Sequence, residues 1–128
     1  MTLHKEQFLR DYESLSQVLT DKPLAALGDA YANFAYSMAL SRKAGSPRGK
    51  KVKGAPLAEA VRRAGLRSYL PSRIDKHVLS DAAEALLVYA WLKDVITLEE
   101  SVDVLEKNDN LEEGLTELLV RAKGRIKF

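Results

Sequence analysis

The chain has 128 residues, 46% hydrophobic and 30% charged, with a formal net charge of +2, a mixture typical of one globular domain with a single core. It contains no cysteine, which excludes disulfides and zinc–thiolate sites, and its two histidines argue against an all-histidine metal site. No apolar stretch approaches the roughly 20 residues that span a bilayer, and the first residues lack the order of a signal peptide, so we expect a cytoplasmic protein with no membrane partner.

Apolar residues at steps of three and four predict two helices in the first third of the chain. The first runs from about 3 to 20, and the second runs from about 23 to 41, with Pro23 at a first helical position. The second helix is apolar on almost every side, which predicts a central place in the fold. Gly28 within it costs about 1 kcal/mol relative to alanine, so we expect it to allow the close approach of another backbone.

The rest of the chain alternates between loops and helices. Residues 41–56 form a loop rich in glycine and proline, followed by a helix at 56–65 that stops at Gly65 and by a turn or short helix at 66–72. Further helices are predicted at 75–94, from Thr97 to about 108 with Glu100 completing a capping box, and at 109–123. Because no alternating stretch indicates a strand, the predicted fold class is all-α, a bundle of about six helices.

Three carboxylates interrupt the apolar sequence of the second and fourth helices. Asp29 lies mid-helix, and Asp81 and Glu84 share one face of the fourth helix because they are three residues apart. If the two helices face each other, the three form an all-oxygen cluster suited to Mg²⁺ or Mn²⁺. A second interpretation is open, in which Asp29 caps an irregularity beside Gly28 and the other two lie in the solvated first turn of a helix that starts near Ser80.

The sequence blocks around these carboxylates resemble the ribonuclease III family. Leu24–Ala30 resembles the family signature, an apolar run ending in Leu-Gly-Asp, and His77–Leu92 resembles the second block, Leu-x-Asp-x-x-Glu-Ala-Leu on an aromatic-ended apolar helix. Residues 52–66 resemble the helix and turn between the blocks, so the likeness covers roughly residues 20–93. The resemblance implies an all-helical domain that hydrolyses double-stranded RNA with Mg²⁺ or Mn²⁺. It implies that Asp29, Asp81 and Glu84 are the catalytic and metal-holding residues.

The chain departs from the fuller bacterial motif at two positions. Lys22 and Ala25 stand where that motif has glutamates, although the short single-domain branch of the family also has a small or apolar residue at the later position. This change leaves the number of metal ions open. The chain also has no room for a separate double-stranded-RNA-binding domain, so we expect one catalytic domain over residues 1–128 that binds RNA itself.

The loop after the second helix is the candidate RNA-binding segment. It opens a block, residues 42–76, with eleven basic and two acidic side chains, a net charge of +9. Flexible cationic side chains suit A-form RNA, which is recognised largely through phosphates and 2′-hydroxyls, so we expect a mobile arm whose binding weakens with salt. A solvated loop without a partner is the alternative. The proposed RNA-binding residues are Arg42, Lys43, Arg48, Lys50, Lys51 and Lys53.

The apolar second helix also predicts a homodimer. A domain of this size has difficulty covering such a helix, and members of the family pair so that two sites face the two strands of one duplex. We expect an interface built from the second helix and parts of the fourth. His77 is interpreted as a surface or capping residue, and the aromatic residues, including Trp91, as core or dimer contacts.

Two other functions stay open at this point. One is a structural or ribosome-associated RNA-binding protein that has the same fold and does not cleave, which Lys22 and Ala25 favour. The other is a helical protein-interaction module, against which the charge of residues 42–76 argues.

Overall fold

The structure, a computed structural model, describes residues 7–128 and is helical throughout, with no strand in that range. The predicted all-α class with six helices is confirmed. A 3₁₀ turn at Arg67–Tyr69 lies between the third and fourth helices. No helix within residues 7–128 is long and apolar enough to cross a bilayer. The helices are α1 (Leu15–Leu19), α2 (Lys22–Ala44), α3 (Gly54–Arg63), α4 (Lys76–Leu92), α5 (Leu98–Lys107) and α6 (Leu111–Arg125).

Helix α4 forms the centre of the fold because its sequence is apolar around nearly its whole circumference. Between residues 79 and 92, only Asp81 and Trp91 are not fully buried. The helix packs against α1, α2, α3 and α6, and its most extensive interface is with α2. Burying a leucine side chain is worth about 1.5–3 kcal/mol, so this apolar surface holds α2 and α4 firmly in register.

Side-chain caps fix where five of the helices begin. Thr97 accepts the N–H of Glu100 at 3.0 Å, as predicted, but the Glu100 carboxylate accepts from Arg121 and Arg125 of α6, at 2.8 Å each. These ion pairs join α5 to α6 and take the place of the second bond of the expected capping box. Each such N-cap is worth about 1 kcal/mol. The capping residues are Ser14, Asp21, Asp75, Thr97 and Asn110.

The predicted helix over residues 3–20 is wrong in its first part. Helix α1 begins at Leu15, and residues 9–13 form no regular element. Tyr12 accounts for the difference, because its ring packs edge-on against Tyr89 with centroids 5.3 Å apart and its hydroxyl donates to Asp21 at 2.5 Å. The segment before α1 is therefore irregular, although its apolar side chains pack on the core. Their spacing in the sequence resembles that of an amphipathic helix, which is why a helix was predicted. Residues 3–6 of the predicted helix lie outside the described residues.

The other helix ends differ from the predictions by a few residues. Helix α2 continues to Ala44 and ends at Gly45, whose φ of 71° is the left-handed conformation that glycine adopts readily. Helix α3 begins at Gly54, with Pro56 accommodated in its first turn, where proline is tolerated. Gly65 follows α3 with a φ of 74° and confirms the predicted helix stop.

Candidate active site

Helices α2 and α4 cross at Gly28 and Glu84. A β carbon at position 28 would lie 3.0 Å from the Glu84 α carbon and closer still to its carbonyl group. Only glycine therefore allows the two backbones to approach this closely, and the prediction made for Gly28 is confirmed. The crossing also brings the side chain of Asp29, the next residue of α2, beside that of Glu84.

A cleft of about 370 Å³ opens beside this crossing, and all three candidate carboxylates line it. Helix α2 forms one wall, α4 forms the other, and Val52 with the start of α3 closes the cleft between them. Asp81 and Glu84 thus face the same space as Asp29. The lining residues are Lys22, Ala25, Ala26 and Asp29 from α2, Val52, Gly54 and Leu57, and His77, Ser80, Asp81 and Glu84 from α4.

Glu84 is the buried member of this acidic group. It is only 7% exposed, and its side chain shares a hydrogen bond with Asp29. Burial, followed by the hydrogen bond and the negative charge of Asp29 and the charge of Asp81, raises the pKa of Glu84 from 4.5 to about 8, while Lys51 acts in the opposite direction. At neutral pH Glu84 therefore retains a proton, which it donates to the Asp29 carboxylate.

The chemistry of these donors fits a hard divalent cation. Asp29, Asp81 and Glu84 form no ion pair with another described residue, and the charge of Lys51 acts on Glu84 from beyond ion-pair distance. A bound cation would favour the ionised form of Glu84 and so displace its proton. Within residues 7–128, however, no three His, Asp or Glu side chains are already arranged as a metal-binding group. The three carboxylates line one cleft, but their side chains are not placed as a preformed metal-binding group.

The two residues that depart from the fuller motif lie on the α2 wall of this cleft. Ala25 is 4% exposed and presents a methyl group, and Lys22 is an exposed residue in the first turn of the helix. The carboxylate that α2 supplies to the cleft is thus Asp29, and the wall on its N-terminal side carries an ammonium group.

Two polar residues of α4 that were not assigned to the site also line the cleft. His77 was interpreted as a surface or capping residue, and it is exposed, but Asp75 caps the helix by accepting a backbone N–H of its first turn. Ser80 is buried and donates to the carbonyl of His77 at 3.1 Å. His77 precedes Asp81 by four residues and Glu84 by seven, which places all three on one helix face. This spacing is the sequence signal that could have predicted His77 in the cleft.

The segment that follows α2 is fastened along that helix. Asn33, Ser37 and Ser41 are four residues apart and hydrogen-bond the backbone of residues 52, 50 and 48 in turn. Val52 donates its N–H to Asn33 Oδ1 at 2.7 Å, and Lys50 donates its N–H to Ser37 Oγ at 2.9 Å. We name residues 48–53 the basic strap. The expected mobile arm is therefore wrong for this segment, which runs back along α2 toward the cleft.

The six candidate RNA-binding cations fall into two groups. Arg42 pairs with Asp103 at 2.8 Å and with Glu106 at 3.1 Å, and Lys43 donates to the carbonyl of Asn108 at 3.4 Å. These two side chains hold α2 against α5 and its end. The cations of the basic strap are exposed and form no ion pair with another described residue; they are Arg48, Lys50, Lys51 and Lys53.

The fold and the cleft together describe a class of all-helical domain with an acidic cleft between its two longest helices. The family model described as Ribonuclease III matches residues 22–126, a stretch that contains both walls of the cleft and the basic strap. The chain therefore belongs to the ribonuclease III family, whose members act on double-stranded RNA and generally depend on divalent metal ions. No curated protein matches the chain.

Proposed function

We propose that this protein is a divalent-metal-dependent endoribonuclease that hydrolyses phosphodiester bonds in double-stranded RNA. The observation that carries the proposal is the convergence of Asp29, Asp81 and Glu84 in one cleft of a chain that belongs to the ribonuclease III family. The three carboxylates would hold Mg²⁺ or Mn²⁺, the cations that oxygen ligands prefer.

The residues of the cleft support this chemistry by holding charge in fixed positions. A bound divalent ion supplies an activated water and neutralises the charge that grows on the leaving oxygen. A hydrogen bond joins the side chains of Asp29 and Glu84, and their backbones are fixed by the Gly28 crossing. The side chains are therefore already in position before substrate binds. Such preorganised charges stabilise the transition state without a further cost in ordering the site. No covalent intermediate with the protein is expected, because water is the nucleophile.

The basic strap is the proposed contact for the RNA backbone. Its four exposed cations form no ion pair with a described residue, and three hydrogen-bonding side chains of α2 fasten the strap along the helix that carries Asp29. Such preorganisation lowers the entropy lost on binding. Arg42 and Lys43 are assigned a smaller part in binding because they already contact α5 and the residue after it. The proposal assigns duplex binding to this domain itself.

A homodimer completes the proposal. An apolar stripe of α2 is exposed, with Leu27 at 40%, Phe34 at 53% and Met38 at 38%, and these residues lie on one side of the helix at steps of seven and four. Exposed apolar surface of this kind is typical of a protein contact. A two-fold dimer joined there would present two clefts to the two strands of a duplex.

One observation favours a second function, that of an RNA-binding protein which does not cleave. Lys22 and Ala25 line the cleft at the two positions where the fuller motif has glutamates, so the site offers fewer oxygen ligands than that motif would. The two functions share the basic strap and differ in what the carboxylates do.

The test uses an end-labelled RNA duplex incubated with the protein in Mg²⁺ or in EDTA, together with the variants Asp29→Asn and Glu84→Gln. Metal-dependent cutting that both variants lose, with binding retained, is the expected result. Asp109→Asn and Glu113→Gln each remove one exposed acid that does not line the cleft, and both variants should cut normally. Salt-sensitive binding without cutting would favour the second function, and no binding at low salt would leave a protein-interaction module.

A further inference from the structure

The α2 wall of the cleft carries an ammonium group at one end and a carboxylate at the other. Lys22 is the first residue of α2 and precedes Asp29 by seven residues, which is two helical turns and about 10 Å of rise on the same helix face. Both residues line the cleft. Between them the wall presents the side chains of Ala25 and Ala26, which offer no ligand atoms.

The α4 wall divides in the same way. Glu84 lies beside Asp29 and shares its hydrogen bond, whereas Asp81, one turn earlier, lies toward the Lys22 end. Lys22 and Asp81 together line a second, adjoining cavity of about 180 Å³, which neither Asp29 nor Glu84 reaches. The cleft therefore has a carboxylate end, formed by Asp29 and Glu84, and a mixed end, formed by Asp81 and Lys22.

The mixed end of the cleft already balances its own charges. The smaller cavity there is lined by two cationic and two acidic residues, Lys22 and Arg73 with Asp21 and Asp81. A second divalent ion at this end would leave two positive charges in excess, and it would lie near the Lys22 ammonium, where like charges repel.

We propose that each chain binds one divalent ion, held at the Asp29–Glu84 end of the cleft, and that Lys22 binds the scissile phosphodiester at the Asp81 end in place of a second ion. This inference rests on the proposed function for its substrate. Lys22 suits the role because its ammonium is a compact charge on a flexible stem and forms no ion pair with another described residue.

The metal count is tested by calorimetric titration of the metal-free protein with Mn²⁺, without RNA. The wild type and Lys22→Gln are expected to bind one Mn²⁺ per chain, and Lys22→Glu, which replaces the ammonium with a carboxylate, is expected to bind two. Lys76→Gln is the matched control, because Lys76 is also the first residue of a helix capped by an aspartate and does not line the cleft. Two Mn²⁺ per chain in the wild type, or one in Lys22→Glu, would overturn the proposal.

The phosphate role is tested by cleavage of the RNA duplex in Mg²⁺. Lys22→Gln should lose about 10²-fold in kcat/KM, the usual effect of removing one group that stabilises transition-state charge, while its Mn²⁺ affinity stays within about twofold of the wild type. Cleavage by Lys22→Gln at the wild-type rate would overturn this role. If the wild type cut no duplex, the proposed function would fail while the Mn²⁺ count still stood, so the two failures are distinguishable.

Discussion

The α carbon of Gly28 faces the main-chain carbonyl of Glu84, and this contact sets the separation of α2 and α4. Asp29 is the next residue of α2, and its side chain shares a hydrogen bond with the side chain of Glu84 on α4. The same contact therefore determines how closely the core can pack and where two of the three carboxylates lie.

Gly28→Ala should destabilise the protein by at least about 2 kcal/mol, although alanine is the better helix former by about 1 kcal/mol. The added methyl group meets backbone atoms of α4, which cannot move aside as a flexible side chain would, and overpacking of this kind costs about 1–3 kcal/mol or more. Urea unfolding measures the change. Gly49→Ala is the control, because nothing lies within 4 Å of a β carbon there. Equal stability of the two variants would contradict the close crossing.

The stability of the metal-free protein should fall as the pH rises from about 5 to about 9. The pKa of Glu84 is about 8 in the folded chain against 4.5 as its ordinary value, so the protonated form stabilises the fold. This contribution is complete below pH 4.5 and is lost as the pH passes 8. Its full size is about 5 kcal/mol, the free energy that corresponds to the pKa difference between 4.5 and about 8.

Glu84→Gln isolates that contribution, because glutamine does not titrate. The free energy of unfolding of the wild type relative to this variant should therefore decline across the same range of pH. Excess Mg²⁺ should reduce the decline by binding the ionised carboxylate in the folded chain. A flat difference between the two proteins in EDTA would mean that Glu84 is ionised at neutral pH.

Removal of one strap cation should change the salt dependence of RNA binding, whereas removal of Arg42 should not. A cation that neutralises a phosphate contributes about 0.9 to the slope of log affinity against log salt on a duplex. Lys50 is exposed with no ion pair to a described residue, but Arg42 is held by Asp103 and Glu106. Lys50→Gln should therefore reduce the slope by about 1, and Arg42→Gln should leave it unchanged.

Fluorescence anisotropy of a labelled duplex in EDTA measures both slopes without cleavage. An equal reduction in the two variants would show that Arg42 leaves its ion pairs to contact RNA. No reduction in either variant would remove the basic strap from the interface.

Phe34→Asp should convert a dimer into a monomer. Phe34 is 53% exposed on the apolar stripe of α2, and a charge placed there would be buried without a partner at a contact between two copies. Sedimentation at micromolar concentration gives the mass of each variant. Val120→Asp is the matched control, since Val120 is 51% exposed on α6 and lies away from this stripe. A wild type with the mass of one chain would end the dimer proposal.

The main helices and the acidic positions could be predicted because their signals are local. Asp81 and Glu84 share a face through their own spacing, and Gly65 marks a helix end through its own conformational freedom. The start of α1 was not predictable in this way. Its boundary depends on Tyr12 contacting Tyr89, which is far along the chain, and Asp21, which lies nine residues on; neither contact leaves a periodic signal.

The path of the basic strap was hidden for a related reason. Glycine, proline and charge in residues 42–53 are typical of a mobile loop, and the helix that carries Asn33, Ser37 and Ser41 is apolar on almost every side. Their partners are backbone groups of the strap, which every sequence contains. A spacing of four residues predicts that such side chains are aligned on the helix, but it does not predict which segment they contact.

Helix α2 is one unbroken rod of 23 residues, about 34 Å long. It carries the Asp29 carboxylate and the fastening points of the strap in one row at steps of four, and it carries the exposed apolar stripe on another side. A substitution at most positions of α2 would therefore affect the cleft, the strap or the apolar stripe. Probes for spectroscopy or immobilisation therefore belong elsewhere, and the outer face of α6 around Val120 offers a site where a label reports on the molecule without altering it.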